Sequence, residues 1–240
     1  MYFIANWKMF GELKSLNSLH KVLKFFKNFK KNKHIKIIYC PPSTLIRPMS
    51  KKLLNSKIEV GAQNCHEHEN FGAFTGSVNS KMLKSVGAKY IIIGHSENRQ
   101  SGESNKLINL KIKSALKSGL KVIFCIGETL KEKRKKITYS VLKRQINKGL
   151  KNIRIYKNIL IAYEPVWSIG TGLIPKPDEL FEIISFIKKN NKNSKVLYGG
   201  SVNPKNIYEL KSISNIDGYL IGGASQNSKK LIDIIKKTVN

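Results

Sequence analysis

The sequence predicts an α/β fold, a single (β/α)₈ barrel in which eight parallel strands are surrounded by helices, and three observations support it. Eight short apolar runs recur along 240 residues, amphipathic stretches separate them, and no linker, low-complexity stretch or change of composition breaks the series. The length and an apolar content of 41% suffice for one buried core, so a single domain over residues 1–240 is expected. A doubly wound open sheet is the structural alternative.

The runs lie at residues 2–5, 35–40, 58–62, 90–94, 121–126, 159–163, 195–198 and 218–221. Nearly continuous hydrophobicity, in place of alternation, marks strands covered on both faces, as in a parallel sheet. After the first run, Leu16, Leu19, Leu23 and Phe26 keep the spacing of one helix face. Phe25, Phe26 and Phe29 in this lysine-rich stretch could line a membrane surface, but packing against the barrel is the commoner use of such a stripe. After the fourth run, Leu107, Leu110, Ala115 and Leu116 repeat the helical spacing. Residues 131–136 carry one glutamate among basic side chains and read as a solvated connection into a helix over 141–150. After the sixth run, Pro177, Asp178 and Glu179 make a helix start: proline presets φ, and the carboxylates meet the positive end of the dipole. Leu180, Ile183, Ile184 and Ile187 carry that helix on, and Pro204 is expected to open the next one.

The formal charge of +29 raises nucleic acid or an anionic membrane as partners. Arginine occurs only at positions 47, 99, 134, 144 and 154, and lysine makes up the rest of the 44 basic residues, scattered along every segment. A nucleic-acid surface favours clustered arginine with exposed aromatics, so polynucleotide binding is not expected as the main role. No run of 18 apolar residues occurs, and Lys8 and Glu12 follow the first strand closely. Neither membrane span nor signal peptide is expected, and a cytoplasmic location is. Cys40 and Cys125 fall in or at the ends of apolar runs and Cys65 makes the number odd, so no disulfide is expected. Within Cys65-His66-Glu67-His68-Glu69, His-x-His points both rings to one side of an extended segment, but without spaced partner ligands it makes a poor metal site.

In a barrel of this kind the chemistry sits at the carboxyl ends of the strands. Asn6, Lys8, His95, Glu97, Glu164, Ser201 and the pair Gly222-Gly223 all stand just after predicted strands. The segment Tyr163-Glu164-Pro165-Val166-Trp167-Ser168-Ile169-Gly170-Thr171-Gly172 ends a strand with a carboxylate and then opens a glycine-containing loop. Proline stiffens one end of that loop and the glycines permit unusual backbone conformations, so it can close over a small ligand. A carboxylate shielded under Trp167 and Ile169 loses solvation, and its proton affinity rises. Lys8 offers a fixed positive charge, and backbone N–H groups at Gly170, Ser201, Gly222 and Gly223 can hold a dianion.

These segments carry a resemblance to a known family. The run from Tyr163 to Gly172 resembles the active-site signature of the triosephosphate isomerases. Asn6-Trp7-Lys8, Gly94-His95-Ser96-Glu97 and Tyr198-Gly199-Gly200-Ser201-Val202 are similar to that family's other signatures, in the same order. The resemblance implies cofactor-free and metal-free interconversion of dihydroxyacetone phosphate and glyceraldehyde 3-phosphate through an enediolate, a step of glycolysis and gluconeogenesis. It makes Glu164 the base, and His95 a neutral electrophile; triosephosphate isomerases are themselves the usual illustration of that pairing. It makes Asn6 and Lys8 binders of the substrate oxygens and Glu97 the acid that organises the cluster. It also implies a homodimer through the loop 63–76. Ser168 and Leu173 stand where the family usually has alanine and lysine, and Ser77 and Asn98 where it has glutamate and arginine, whereas Arg99 and Glu103 remain. The rival functions are another phosphate-binding barrel enzyme, which needs other residues at the strand ends, and a basic anion- or nucleic-acid-binding protein on a barrel scaffold.

Overall fold

The computed structural model describes residues 1–154, 156–191 and 194–239. Eight strands, β1 (Tyr2–Asn6), β2 (Lys36–Cys40), β3 (Glu59–Ala62), β4 (Tyr90–Ile93), β5 (Lys121–Ile126), β6 (Ile159–Tyr163), β7 (Lys195–Tyr198) and β8 (Gly218–Ile221), pair in sequence order. All the pairings are parallel, and β1 closes on β8 with Tyr2 opposite Gly218. The helices that matter for the site are α1 (Leu19–Asn28), α2 (Ser43–Leu53), α3 (Ser80–Ser85), α4 (Ser96–Gln100) and α5 (Asn105–Lys117) in the first half. They are followed by α6 (Leu130–Arg134), α7 (Thr138–Gly149), α8 (Pro177–Asn190), α9 (Ile207–Lys211) and α10 (Ser228–Val239).

Alternation along each strand divides the core into two layers. Ile4, Ile38, Ile92, Ile123, Ala162 and Leu220 belong to the cluster inside the barrel. Their neighbours Phe3, Ile37, Ile91, Phe124, Ile161 and Ile221 pack outward against the helices. Both sets are buried, which is why the sequence shows continuous apolar runs. Because the inward set advances by two residues, the next inward positions beyond Ile4, Ala162, Leu197 and Leu220 are Asn6, Glu164, Gly199 and Gly222. The strand register therefore delivers one amide, one carboxylate and two glycines to the same end of the barrel.

Helix placement follows the expected patterns in most places. Pro177 stands in the first turn of α8, with Asp178 and Glu179 behind it and Leu180, Ile183, Ile184 and Ile187 buried. Phe26 is buried, and Phe25 and Phe29 pack beside it with ring centres 4.9 Å apart, so the stripe serves the core. Two expectations need correction. Pro204 lies in a turn, and α9 begins at Ile207 behind Asn206. On α5 the buried face runs through Ile108, Ile112 and Ala115, and Leu116 packs beside it as expected, while Leu110 is 43% exposed; Leu110 falls off the face, which two isoleucines four residues apart carry instead. His66 and His68 point to one side, as expected, but both rings pack on Phe74, His66 tilted at 4.4 Å and His68 stacked at 4.7 Å. Among the described residues no helix is long and apolar enough to cross a membrane.

Candidate active site

Glu164 follows β6 and continues its ladder: its N–H donates to the Ile126 carbonyl at 2.7 Å, and the Gly199 N–H donates to the Tyr163 carbonyl at 2.8 Å. The carboxylate fits only because glycines flank it. A Cβ on Gly199 would lie 2.8 Å from Glu164 Cγ, and one on Gly127 would lie 1.8 Å from the Glu164 carbonyl oxygen. The side chain is 3% exposed. Burial pushes its carboxyl above the usual carboxylate range, against the opposing pull of His95 and the Ser96 N–H. That N–H donates to Oε2 at 3.4 Å, and His95 Nε2 lies 3.3 Å from Oε1.

His95 caps α4. Gly94 takes the left-handed φ of +75° that turns the chain out of β4, and Arg99 braces the turn by donating to the Gly94 carbonyl at 2.7 Å and the Cys125 carbonyl at 3.0 Å. The His95 Nδ1 accepts from the Glu97 N–H at 3.3 Å. An accepting Nδ1 carries no proton, so the ring's one proton sits on Nε2, the atom that faces Glu164. Glu97 Oε2 also lies 3.6 Å from Nδ1, but its other oxygen is taken by Lys8 Nζ at 2.6 Å.

Lys8 holds φ at +55°, a conformation that costs a residue with a Cβ about 1 kcal/mol or more. Two bonds hold it there, and a third anchors the amide that makes one of them. Its N–H donates to Asn6 Oδ1 at 3.0 Å, and Gln63 Nε2 donates to its carbonyl at 2.9 Å and to that of Cys40 at 2.8 Å. Gln226 adds a bond to the Trp7 carbonyl at 2.9 Å. The side chain passes Gly222, where a Cβ would stand 3.5 Å from Lys8 Cε.

A cavity of about 710 Å³ collects these groups. Asn6, Lys8, His95, Glu164, Gly170, Ser201, Gly222 and Gly223 all line it; Glu97 does not, and reaches it through Lys8 and His95. Ile169 borders the cavity, whereas Trp167 turns away. Its indole donates to Glu128 Oε1 at 2.8 Å, and Tyr163 donates to the same carboxylate at 3.2 Å. The shielding of Glu164 thus comes from strand ends and glycines and not from Trp167.

Sequence reasoning missed Glu128, Gln63 and Gln145. Glu128 is wholly buried, with its carboxyl pushed up by that burial. Gln145 grips Gly127 at both ends, accepting from its N–H at 2.8 Å and donating to its carbonyl at 2.9 Å. Glu128 and Gln63 stand just after β5 and β3, a signal that was available; Gln145 sits inside α7 and had none.

The triosephosphate isomerase family model matches residues 1–238. The triosephosphate isomerase of Endomicrobium trichonymphae is 39% identical over 243 residues, covering 97% of this chain and 96% of its own. That of Carboxydothermus hydrogenoformans is 41% identical over 250 residues, covering 99% and 98%. The crystal structure of triosephosphate isomerase from Bartonella henselae superposes with a TM-score of 0.89 at 33% identity, over 100% of this chain and 99% of the other. With the closed barrel and the signatures running from Asn6 to Val202, a match along nearly the full length shows that the chain belongs to the triosephosphate isomerase family.

Proposed function

We propose that this chain interconverts dihydroxyacetone phosphate and D-glyceraldehyde 3-phosphate, with Glu164 as base and His95 and Lys8 as stabilisers of the enediolate. The observation that carries the assignment is the buried Glu164 carboxylate facing His95 Nε2 at 3.3 Å at the wall of one cavity. Glu164 removes a proton from C1 of the ketone, leaving the electron pair in an enediolate. His95 donates its Nε2 hydrogen bond to the oxygen on C2, and Lys8 faces the same developing charge. Returning the carbon proton to C2, with the hydroxyl proton of O1 moving to O2, completes the aldehyde without any change of oxidation state overall. Asn6 supports this by fixing the turn that carries Lys8, and Glu97 by holding the ammonium.

The N–H groups of Gly170, Ser201, Gly222 and Gly223 form the proposed phosphate cradle, where glycines let the backbone approach a dianion. The proposed chemistry calls on no metal and no cofactor. In deuterated water the aldehyde formed from dihydroxyacetone phosphate should carry solvent deuterium at C2. Product free of deuterium would point to a direct hydride shift and remove the need for Glu164 as base.

The same reading favours a single catalytic domain, a cytoplasmic location and a homodimer joined through the loop 63–76. Met9, Leu13 and Phe71 are 100%, 68% and 79% exposed, an apolar display that an isolated subunit leaves in water. Beside it a second cavity of about 440 Å³, lined by Lys8, Met9, Gln63, His66 and Ser77, suits an apolar loop from a second copy. Ser77 and Asn98 remove the charges that the family carries there, so loop packing has to hold the dimer. Sedimentation should give a dimer at micromolar protein, and a monomer there defeats this arrangement. The scattered lysines fit capture of a small phosphorylated substrate better than a polynucleotide.

A further inference from the structure

Ser168 is wholly buried at the first end of the lid, where its hydroxyl joins three segments. Oγ donates to the carbonyl of Leu173, at the lid's other end. It lies 3.0 Å from the Tyr198 hydroxyl at the end of β7 and accepts from the Ser201 N–H at 3.3 Å. Packing at this junction is close: a Cβ on Gly200 would stand 2.7 Å from Ser168 Oγ and 2.2 Å from the Tyr198 oxygen. A hydroxyl has one proton and two lone pairs. With its proton on Leu173, the lone pairs are taken by Tyr198 and Ser201, so the hydroxyl is saturated. The alanine usual in the family could make none of these bonds.

One of the three bonds engages an N–H that the phosphate needs. Under the function proposed above, on which this inference rests, the Ser201 amide is part of the phosphate cradle. We propose that Ser168 is a positioning residue that latches the lid to the β7 loop through the Tyr198 hydroxyl and the Ser201 N–H, and that an arriving phosphate dianion takes over that N–H and loosens the latch. The exchange runs toward phosphate because a hydrogen bond to an anion is about twice as strong as one to a neutral hydroxyl. Once the latch is loosened, the lid can move about Gly170 and Gly172, which hold φ at +74° and +81° with no atom within 4 Å of where a Cβ would be. The latch exacts a cost in phosphate affinity, which makes it measurable.

The test titrates inorganic phosphate into ¹⁵N-labelled wild type, Ser168→Ala and Ser168→Cys, following the Ser201 amide resonance and the dissociation constant. In the wild type the Ser201 resonance shifts as phosphate saturates. Ser168→Ala binds phosphate about three- to tenfold more tightly, the worth of one released hydrogen bond of ordinary net strength. Ser168→Cys fills the same space but accepts weakly, so it tightens binding too, and KM for the triose phosphate falls in both variants. A residue that merely filled space would give weaker or unchanged phosphate binding on substitution. Unchanged or weaker binding in both folded variants, with the Ser201 resonance still shifting, overturns the latch and leaves the phosphate cradle standing. A Ser201 resonance that stays still while phosphate binds overturns the cradle at this residue and the latch with it.

Discussion

Gly127 offers a way to displace Glu164, the proposed base, without touching its side chain. A Cβ at this position would lie 1.8 Å from the Glu164 carbonyl oxygen and 2.5 Å from its carbonyl carbon, where ordinary contact begins at 3.4 Å. Gly127→Ala therefore demands about 1.6 Å of separation between the ends of β5 and β6, well beyond what a packed core absorbs by small adjustments. Gly127 itself cannot yield easily, because Gln145 holds both its N–H and its carbonyl. The Glu164 backbone must move instead, and it carries the carboxylate with it. Misplacing a catalytic group by about 1 Å costs roughly 100-fold in rate, so kcat/KM should fall by about that factor or more, equivalent to about 2.7 kcal/mol of transition-state stabilisation. The assay is steady-state isomerisation with melting curves to confirm folding. Gly119→Ala serves as control: it strains a left-handed backbone at φ +77°, but the nearest atom to its Cβ is the flexible end of Lys84 at 4.0 Å. Activity in folded Gly127→Ala within threefold of wild type would refute the claim that this glycine positions the base.

Three further outcomes follow from the buried carboxylates. The Glu164 carboxyl titrates above its ordinary value, so the folded state keeps its proton to higher pH than the unfolded chain. Its contribution to stability is therefore lost as pH rises from the unfolded toward the folded pKa and stays absent above it. Glu164→Gln should melt higher than wild type at pH 8, with the gap narrowing as pH falls through the folded pKa; a gap that widens on acidification contradicts the assignment. The same shift places the acid limb of kcat/KM above the ordinary glutamate value, activity being lost as the base takes up its proton. Trp167→Phe removes the indole donor 2.8 Å from Glu128, leaving a buried carboxylate with one partner fewer. Denaturant unfolding should register a loss of about 1–3 kcal/mol, and an unchanged midpoint would show that Glu128 does not depend on this bond.

The site was legible in the sequence to the extent that strand geometry dictated it. Once the apolar runs are strands, the residues after them must lie at one end of the barrel, and Asn6, Glu164 and Gly222 share the inward register with Ile4, Ala162 and Leu220. What stayed hidden depends on contacts between segments. Trp167 was expected over Glu164, but alignment of Ile126 with Tyr163 across β5 and β6 brings Glu128 beneath the indole instead. Gly127 reads as an ordinary turn residue until the Glu164 backbone is seen against it. Ser168 was visible as a departure from the family pattern, yet its meaning lay in the Leu173, Tyr198 and Ser201 groups around its hydroxyl. On α5 Leu110 was misplaced because Ile108 and Ile112, which the leucine spacing passed over, carry the packing with Ala115.

The most direct test of the central claim is steady-state conversion of glyceraldehyde 3-phosphate by purified protein, measured with and without a metal chelator and repeated with Glu164→Asp. Shortening the side chain by one methylene withdraws the carboxylate from the substrate carbon while keeping its charge. The account predicts wild-type turnover that survives chelation and collapses by about 100-fold or more in Glu164→Asp. A folded wild type without activity, or a Glu164→Asp variant as fast as wild type, would contradict it.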